Sequence, residues 1–250
     1  EASGSAVFEF VISPSFETCG GAVNFNIINK SCNELSPAGN NQENVFSINI
    51  GKKTPGTSQT IAIQPSSADT YLEQGNPSGI NGNLVNISVQ NQRNSARRGL
   101  IKFDLSSIPS NATITNAQIE LYCYAYPSTA QTINLHLVTS DWSEASANWT
   151  NMNNQYNTTA IASLDCGKTT GWKIWTGLGS TVQGWVNGSI GNYGLMLKCA
   201  SETSSSAQKY EFGSNNYSVA AQRPILRVSY TTPEIWECSY IGSGECEVII

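Results

Sequence analysis

Gly99-Leu-Ile-Lys-Phe-Asp-Leu-Ser-Ser-Ile-Pro-Ser-Asn-Ala-Thr-Ile114, followed closely by Ala117-Gln-Ile-Glu-Leu-Tyr122, is the stretch whose reading decides the fold. Two apolar-rich runs, 99–104 and 113–126, flank a turn built from Ser, Pro and Asn. In the second run, period two puts Ile119, Leu121, Cys123 and Ala125 on one side. Tyr122, Tyr124 and Tyr126 fall on the other. A strand with one face in a core has this pattern.

Working outward, similar short runs bounded by Gly, Asn, Pro and Ser recur at 5–13, 22–28, 45–50, 59–64 and 84–89, and again at 132–139, 193–199 and 225–230. Helical periodicity is nearly absent. One short helix is expected at 180–186, with Ser180 placed to cap it and Gly188 to end it. Many short strands separated by turn signals predict an all-β protein, a jelly-roll-like β-sandwich with one short helix. Gly51-Lys-Lys-Thr-Pro-Gly-Thr-Ser58 reads as a linker or long loop. It divides an N-terminal β segment, 1–56, from the main sandwich, 57–232. Pro233 opens a C-terminal extension, 233–250, that carries four Glu and two Cys but no Lys or Arg.

Composition limits the function. Ser, Asn and Thr make up 78 of the 250 residues, whereas charged residues are only 12%, about half the usual share. A net charge of −5 with no basic run argues against nucleic acid as a partner. No stretch approaches the ~20 apolar residues of a membrane helix. The chain opens at Glu1 without an initiator Met, and the expectation is a mature, exported chain. Of seven Cys, the pairs Cys19 with Cys32 and Cys238 with Cys246 sit in turn-rich segments and are candidate local disulfides. An odd total leaves at least one thiol free or joined to another chain. Seven Asn-x-Ser/Thr sequons, at Asn29, Asn86, Asn111, Asn148, Asn157, Asn187 and Asn216, are candidate glycosylation sites. Cysteines and sequons together favour a secreted, extracellular or cell-surface location.

The main domain resembles the DNRLRE, or disaggregatase-related, family, which overlaps a family of carbohydrate-binding modules. The opening block carries most of the resemblance, and Ala68-Asp69-Thr70-Tyr71 resembles the family's entry motif. Asp141-Trp-Ser-Glu144 with Trp149, Val182-Gln-Gly-Trp-Val-Asn-Gly188, Asn192-Tyr-Gly-Leu-Met-Leu197 and Arg223-Pro-Ile-Leu-Arg-Val-Ser-Tyr230 follow in order. The match spans about residues 68–230. Two departures stand out: Thr176-Gly177-Leu178 replaces an Asp-Val-Thr entering the helix, and Ser214-Asn215-Asn216 lacks the family's charged residues. The resemblance implies an exported β-sandwich, appended to polysaccharide-processing enzymes or displayed on surfaces.

No credible catalytic set emerges, and no enzyme is expected. His136 is the only His. Alternation with Ile133, Leu135 and Leu137 points it outward as a surface residue, and no nucleophile elbow accompanies it. Asp141 and Glu144 flank Trp142 in a loop, and structural roles are expected for them and for Asp69, Glu73, Asp104 and Asp165. Asp104, before Ser-Ser, is expected to make a local turn hydrogen bond. Calcium at Asp69 or Asp141 is chemically conceivable, but no Asp-x-Asp-x-Asp spacing supports it, and no cofactor is expected. Trp142, Trp149 and Trp185 read as core packing. Arg93, Arg97 and Arg98 form the only basic cluster, read as a solvated loop and strand entry. The tyrosine face suits stacking of sugar rings with phenol groups left for hydrogen bonds, and Tyr122, Tyr124 and Tyr126 are the candidate glycan-binding residues. The preferred alternative is that this face is covered by residues 1–56 or by another chain.

In residues 5–12, Ala6, Phe8, Phe10 and Ile12 make an apolar face almost at the chain's first residue. Such a strand either joins its own sandwich or completes a neighbour's sheet by donor-strand exchange. The leading functional reading is a non-catalytic subunit of a surface filament or layer, an open homopolymer whose partners are copies of itself. The alternative is a polysaccharide-binding module or adhesin.

Overall fold

The computed structural model describes residues 24–29, 44–54 and 56–240. In chain order the strands are β1 (Asn24–Asn29), β2 (Asn44–Thr54), β3 (Ser58–Ile63), β4 (Ala68–Glu73), β5 (Asn86–Gln90), β6 (Arg97–Lys102) and β7 (Thr113–Ala125). They continue as β8 (Thr132–Leu137), β9 (Ala162–Asp165), β10 (Gly171–Trp175), β11 (Leu195–Cys199), β12 (Lys209–Gly213), β13 (Ile225–Thr231) and β14 (Ile235–Tyr240). Two helices, α1 (Trp149–Met152) and α2 (Gly179–Val186), lie among them. The protein is all-β, as its alternation predicts.

The chain divides into two compact units, Glu1–Pro55 with Glu234–Ile250, and Gly56–Pro233. In the first, the antiparallel order is β1-β2-β14. Two readings change here. The expected linker at 51–58 is mostly strand, because the backbone of Gly51-Lys-Lys-Thr54 belongs to β2 and its end pairs with β14, Thr54 opposite Ile235 and Lys53 opposite Trp236. The C-terminal extension begins as that partner strand.

The second unit follows the order β3-β13-β7-β12-β5-β6-β11-β8-β9, with β10 on β7 and β4 on β6. Only one pairing, Gln90 with Arg97, joins β5 to β6, and the path folds there. Ile87 then lies over Gly99, where a Cβ would meet its Cγ2 at 2.6 Å. Such close packing of two faces makes this Gly a sandwich contact. Inward-facing Ile119, Leu121, Ile133, Leu135, Phe212 and Val228 form the main core with Trp175 and Trp185. Fully burying aliphatic side chains like these stabilises by roughly 1.5 to 3 kcal/mol each.

A second apolar cluster sits on the opposite face of β4, β6 and β11, where Leu72, Leu100 and Met196 meet Trp142, Val138 and Met152. The loop and helical turn after β8 form its roof. This roof corrects the reading of His136, which is buried at 5% exposure rather than a surface residue. Alternation aims it away from the main core, but that face is covered as well. Its Nδ1 donates to the Asn157 carbonyl at 2.9 Å, and its ring meets Tyr156 edge-on at 5.1 Å. Arg98 is likewise no solvated residue. It lies buried beneath Trp149, forks onto Glu202 at 2.9 and 2.6 Å and donates to the Asn153 carbonyl. Arg97, next along, pairs with Glu73 instead.

At α2, Ser180 does not cap. Leu178 occupies the N-cap position with no side-chain hydrogen bond, because the helix begins at Gly179 and Ser180 is already inside it. Gly188, at φ +73, ends the helix, a conformation that suits glycine. Trp142 and Trp185 are core residues, and Trp149 packs on the second cluster. Among the described residues, no helix is long and apolar enough to cross a membrane.

Candidate functional site

The outer face of β7 carries side chains that a sandwich core has no use for. β10 pairs along one edge of β7, with Trp172 opposite Tyr122 and Ile174 opposite Glu120. β13 and β12 follow one another along the other edge. Tyr122 and Trp172 meet edge-to-face at 5.5 Å, while Tyr124 lies parallel to Tyr217 with centroids 5.3 Å apart. Trp172 is 38% exposed and Ile174 40%, an inversion of ordinary strand patterning. Tyr126 lies just past the end of β7 and is 48% exposed.

Polar groups frame these rings. Glu120 accepts two hydrogen bonds from Arg227, at 2.7 and 3.2 Å, and that guanidinium holds its carboxyl below the usual range. Glu211 pairs with Lys209 at 2.6 Å and accepts from the Asn86 amide and, at 3.4 Å, from Ser88. Arg97, paired with Glu73, lies over the Tyr71 ring at 5.2 Å. Burial, with Glu211 adding to it, pushes the Tyr124 phenol up to about 12, and burial raises that of Tyr71 as well. Both phenols therefore keep their protons and can donate near neutral pH. Flat rings beside fixed donors and acceptors can stack a pyranose and hydrogen-bond its hydroxyls.

Sequence reading pointed to Tyr122, Tyr124 and Tyr126, and the structure brings the first two together with Trp172, Tyr217 and Glu211, which it did not single out. Most of residues 1–56, the segment expected to cover this face, lies outside the described residues. Outside them too lie the candidate donor-strand residues Ala6, Phe8, Phe10 and Ile12, and Cys19, Cys32, Cys246 and the side chain of Cys238. Among the described residues, Cys123, Cys166 and Cys199 are free and buried, and burial pushes their thiols up to about 11, 12 and 12. Such thiols are poor nucleophiles.

The sequons occupy different settings. Asn111, Asn157 and Asn187 are exposed. Asn86 and Asn148 are half-buried and donate through the amide nitrogen that a glycan would occupy, Asn86 to Glu211 and Asn148 to the Ser146 carbonyl. Asn216 donates likewise to the Gly82 carbonyl, and Asn29 lies in β1.

The acidic residues disperse. Asp104 accepts from the Ser106 amide and hydroxyl at 2.9 and 3.0 Å, the local turn that the sequence suggested. Asp141 is exposed and pairs with Lys102. Glu144 turns to Asp69, accepting from its amide at 2.6 Å. Asp69 is 1% exposed, and burial pushes its carboxyl up to about 7. Among the described residues, no group of three or more His, Cys, Asp and Glu gathers around a common point to hold a metal.

Compared with known proteins, residues 60–230 match the model of carbohydrate-binding module family 96. No curated protein matches the chain.

Proposed function

The chain belongs to carbohydrate-binding module family 96, and on that footing we propose that its sandwich binds a polysaccharide through the outer face of β7. One observation carries the reading: Tyr122, Tyr124, Trp172 and Tyr217 form two ring pairs on an outer sheet face, and Trp172 remains exposed. A core has no need of them there, whereas a sugar chain does. Glu73, Glu120 and Glu211 are each matched by a cation, Arg97, Arg227 and Lys209. Their charges are largely internally balanced, so ring stacking and hydroxyl contacts supply the affinity.

The chain acts by binding, without turnover, and works outside the cell. The sandwich is likewise akin to the disaggregatase-related domains. The family match moves the polysaccharide-binding reading ahead of the self-assembling filament subunit, whose supporting strand lies outside the described residues. Native gel electrophoresis of the full chain through gels cast with different soluble polysaccharides tests the proposal. Retardation by at least one polysaccharide is expected, and unretarded migration across a broad neutral and acidic panel would refute it.

A further inference from the structure

We propose that Asp69, Glu144 and Asn215 form a calcium-binding site where β4 meets the loops at 141–147 and 214–217. Three chain segments are drawn together at this point. Glu144 Oε1 accepts from the Asp69 amide at 2.6 Å and from Asn215 Nδ2 at 2.8 Å. Asp69 Oδ2 accepts from the Asn215 amide at 2.7 Å and from the Ser66 hydroxyl at 2.5 Å. One oxygen of Asp69 and one of Glu144 are thus engaged in holding the three segments together, while Asn215 supplies two N–H donors.

The remaining oxygens are the informative ones. Oδ1 of Asp69 and Oδ1 of Asn215 are both buried and accept no hydrogen bond. A buried acceptor left in this way costs roughly 1 to 3 kcal/mol, and more for a charged one. Two carboxylates also face one another here, and among the described residues neither is in an ion pair with Lys or Arg. Lys102, on the strand paired with β4, is committed to Asp141. The loop at 80–84 packs against the same point: a Cβ on Gly82 would fall 2.5 Å from the Glu144 carbonyl oxygen and Cβ. The site is therefore closely built, with unused oxygens inside it.

Two carboxylates and an amide oxygen make an all-oxygen, doubly negative donor set, which suits a hard divalent cation. Calcium accepts mixed carboxylate and carbonyl oxygens in irregular geometry, whereas magnesium demands a near-octahedral shell and keeps its waters. A bound cation would satisfy both orphan oxygens and offset the repulsion that helps raise the Asp69 carboxyl.

Chelator-treated full-length protein, titrated with calcium chloride by calorimetry and with terbium by luminescence, tests the site without reading glycan affinity. The expected result is one saturable site and a melting temperature that rises with calcium. Both effects should weaken at least tenfold in Glu144→Gln and Asp69→Asn. Glu144→Gln retains an oxygen for the two amide donors, and circular dichroism checks that each variant is folded. No binding by the unsubstituted protein at calcium up to about 10 mM, equal binding by both variants, or a preference for magnesium would overturn the assignment.

Discussion

At the residue scale, the account rests on side chains whose surroundings invert what their type predicts. Trp172 is exposed, while Lys173 beside it is buried and donates to Thr169 at 3.0 Å. If the outer face binds sugars, Tyr124→Ala should weaken polysaccharide affinity about tenfold, roughly 1 to 2 kcal/mol. Affinity gels of the folded variant check this, and unchanged retardation counts against the site. His136 makes a second prediction at this scale. Burial lowers its folded value below 6.5, so the unfolded chain binds the extra proton first. Its contribution to stability is complete above pH 6.5 and is lost as pH falls from there through the lower folded value. Lys198, Arg98 and Tyr156 face the ring, the two cations also opposing its protonation, while the Asn157 and Thr159 carbonyls favour it. Asp69, with its raised value, pulls the other way in the same range. The urea midpoint of the unsubstituted protein minus that of His136→Gln isolates the His, and this difference should shrink from pH 7.5 to pH 5.5. A constant difference would contradict the burial argument.

At the element scale, legibility depended on whether a strand has one buried face or two. β13 and most of β7 alternate in burial, and β8 alternates in residue type, so all three were readable from sequence. In β4, Asp69 and Tyr71 are buried on one face and Thr70 and Leu72 on the other, so no period-two signal exists. β10 hides for the opposite reason: its buried Lys173 and exposed Trp172 and Ile174 reverse the pattern that identifies strands. His136 was misread because alternation shows which way a side chain leaves the sheet, not what covers it. The platform was half legible for the same reason, since Tyr122 and Tyr124 share a strand whereas Tyr217 comes from a distant loop. Two substitutions test the elements. Ser180 is exposed inside α2 and caps nothing, so Ser180→Ala should change stability by less than about 0.5 kcal/mol, where a true cap would cost about 1. Gly194 precedes β11 at φ +82, and a Cβ there would fall 2.1 Å from the Ile101 carbonyl oxygen. Gly194→Ala should therefore lower unfolding free energy by roughly 2 to 4 kcal/mol. Urea denaturation measures both, and the opposite ranking would contradict the placement of α2 and β11.

At the scale of the whole molecule, Gly56–Pro233 forms its own compact unit. Its first and last segments close on each other, Thr57 and Thr232 through backbone and hydroxyl hydrogen bonds of 3.0 to 3.1 Å and β3 against β13 in register. A fragment of residues 56–233 should fold cooperatively and keep any polysaccharide affinity of the full chain, because every residue assigned to the platform lies within it. The family match, over residues 60–230, falls inside the same unit. The claim on which the rest depends is that this unit's outer tyrosine face takes the sugar. The most direct test is calorimetry of the full chain against the polysaccharide that retards it best, beside a Tyr122→Ala, Tyr124→Ala, Tyr126→Ala triple variant with an unchanged unfolding midpoint. The account predicts saturable binding for the unsubstituted chain and at least a tenfold loss in the triple variant. Equal affinities would contradict it.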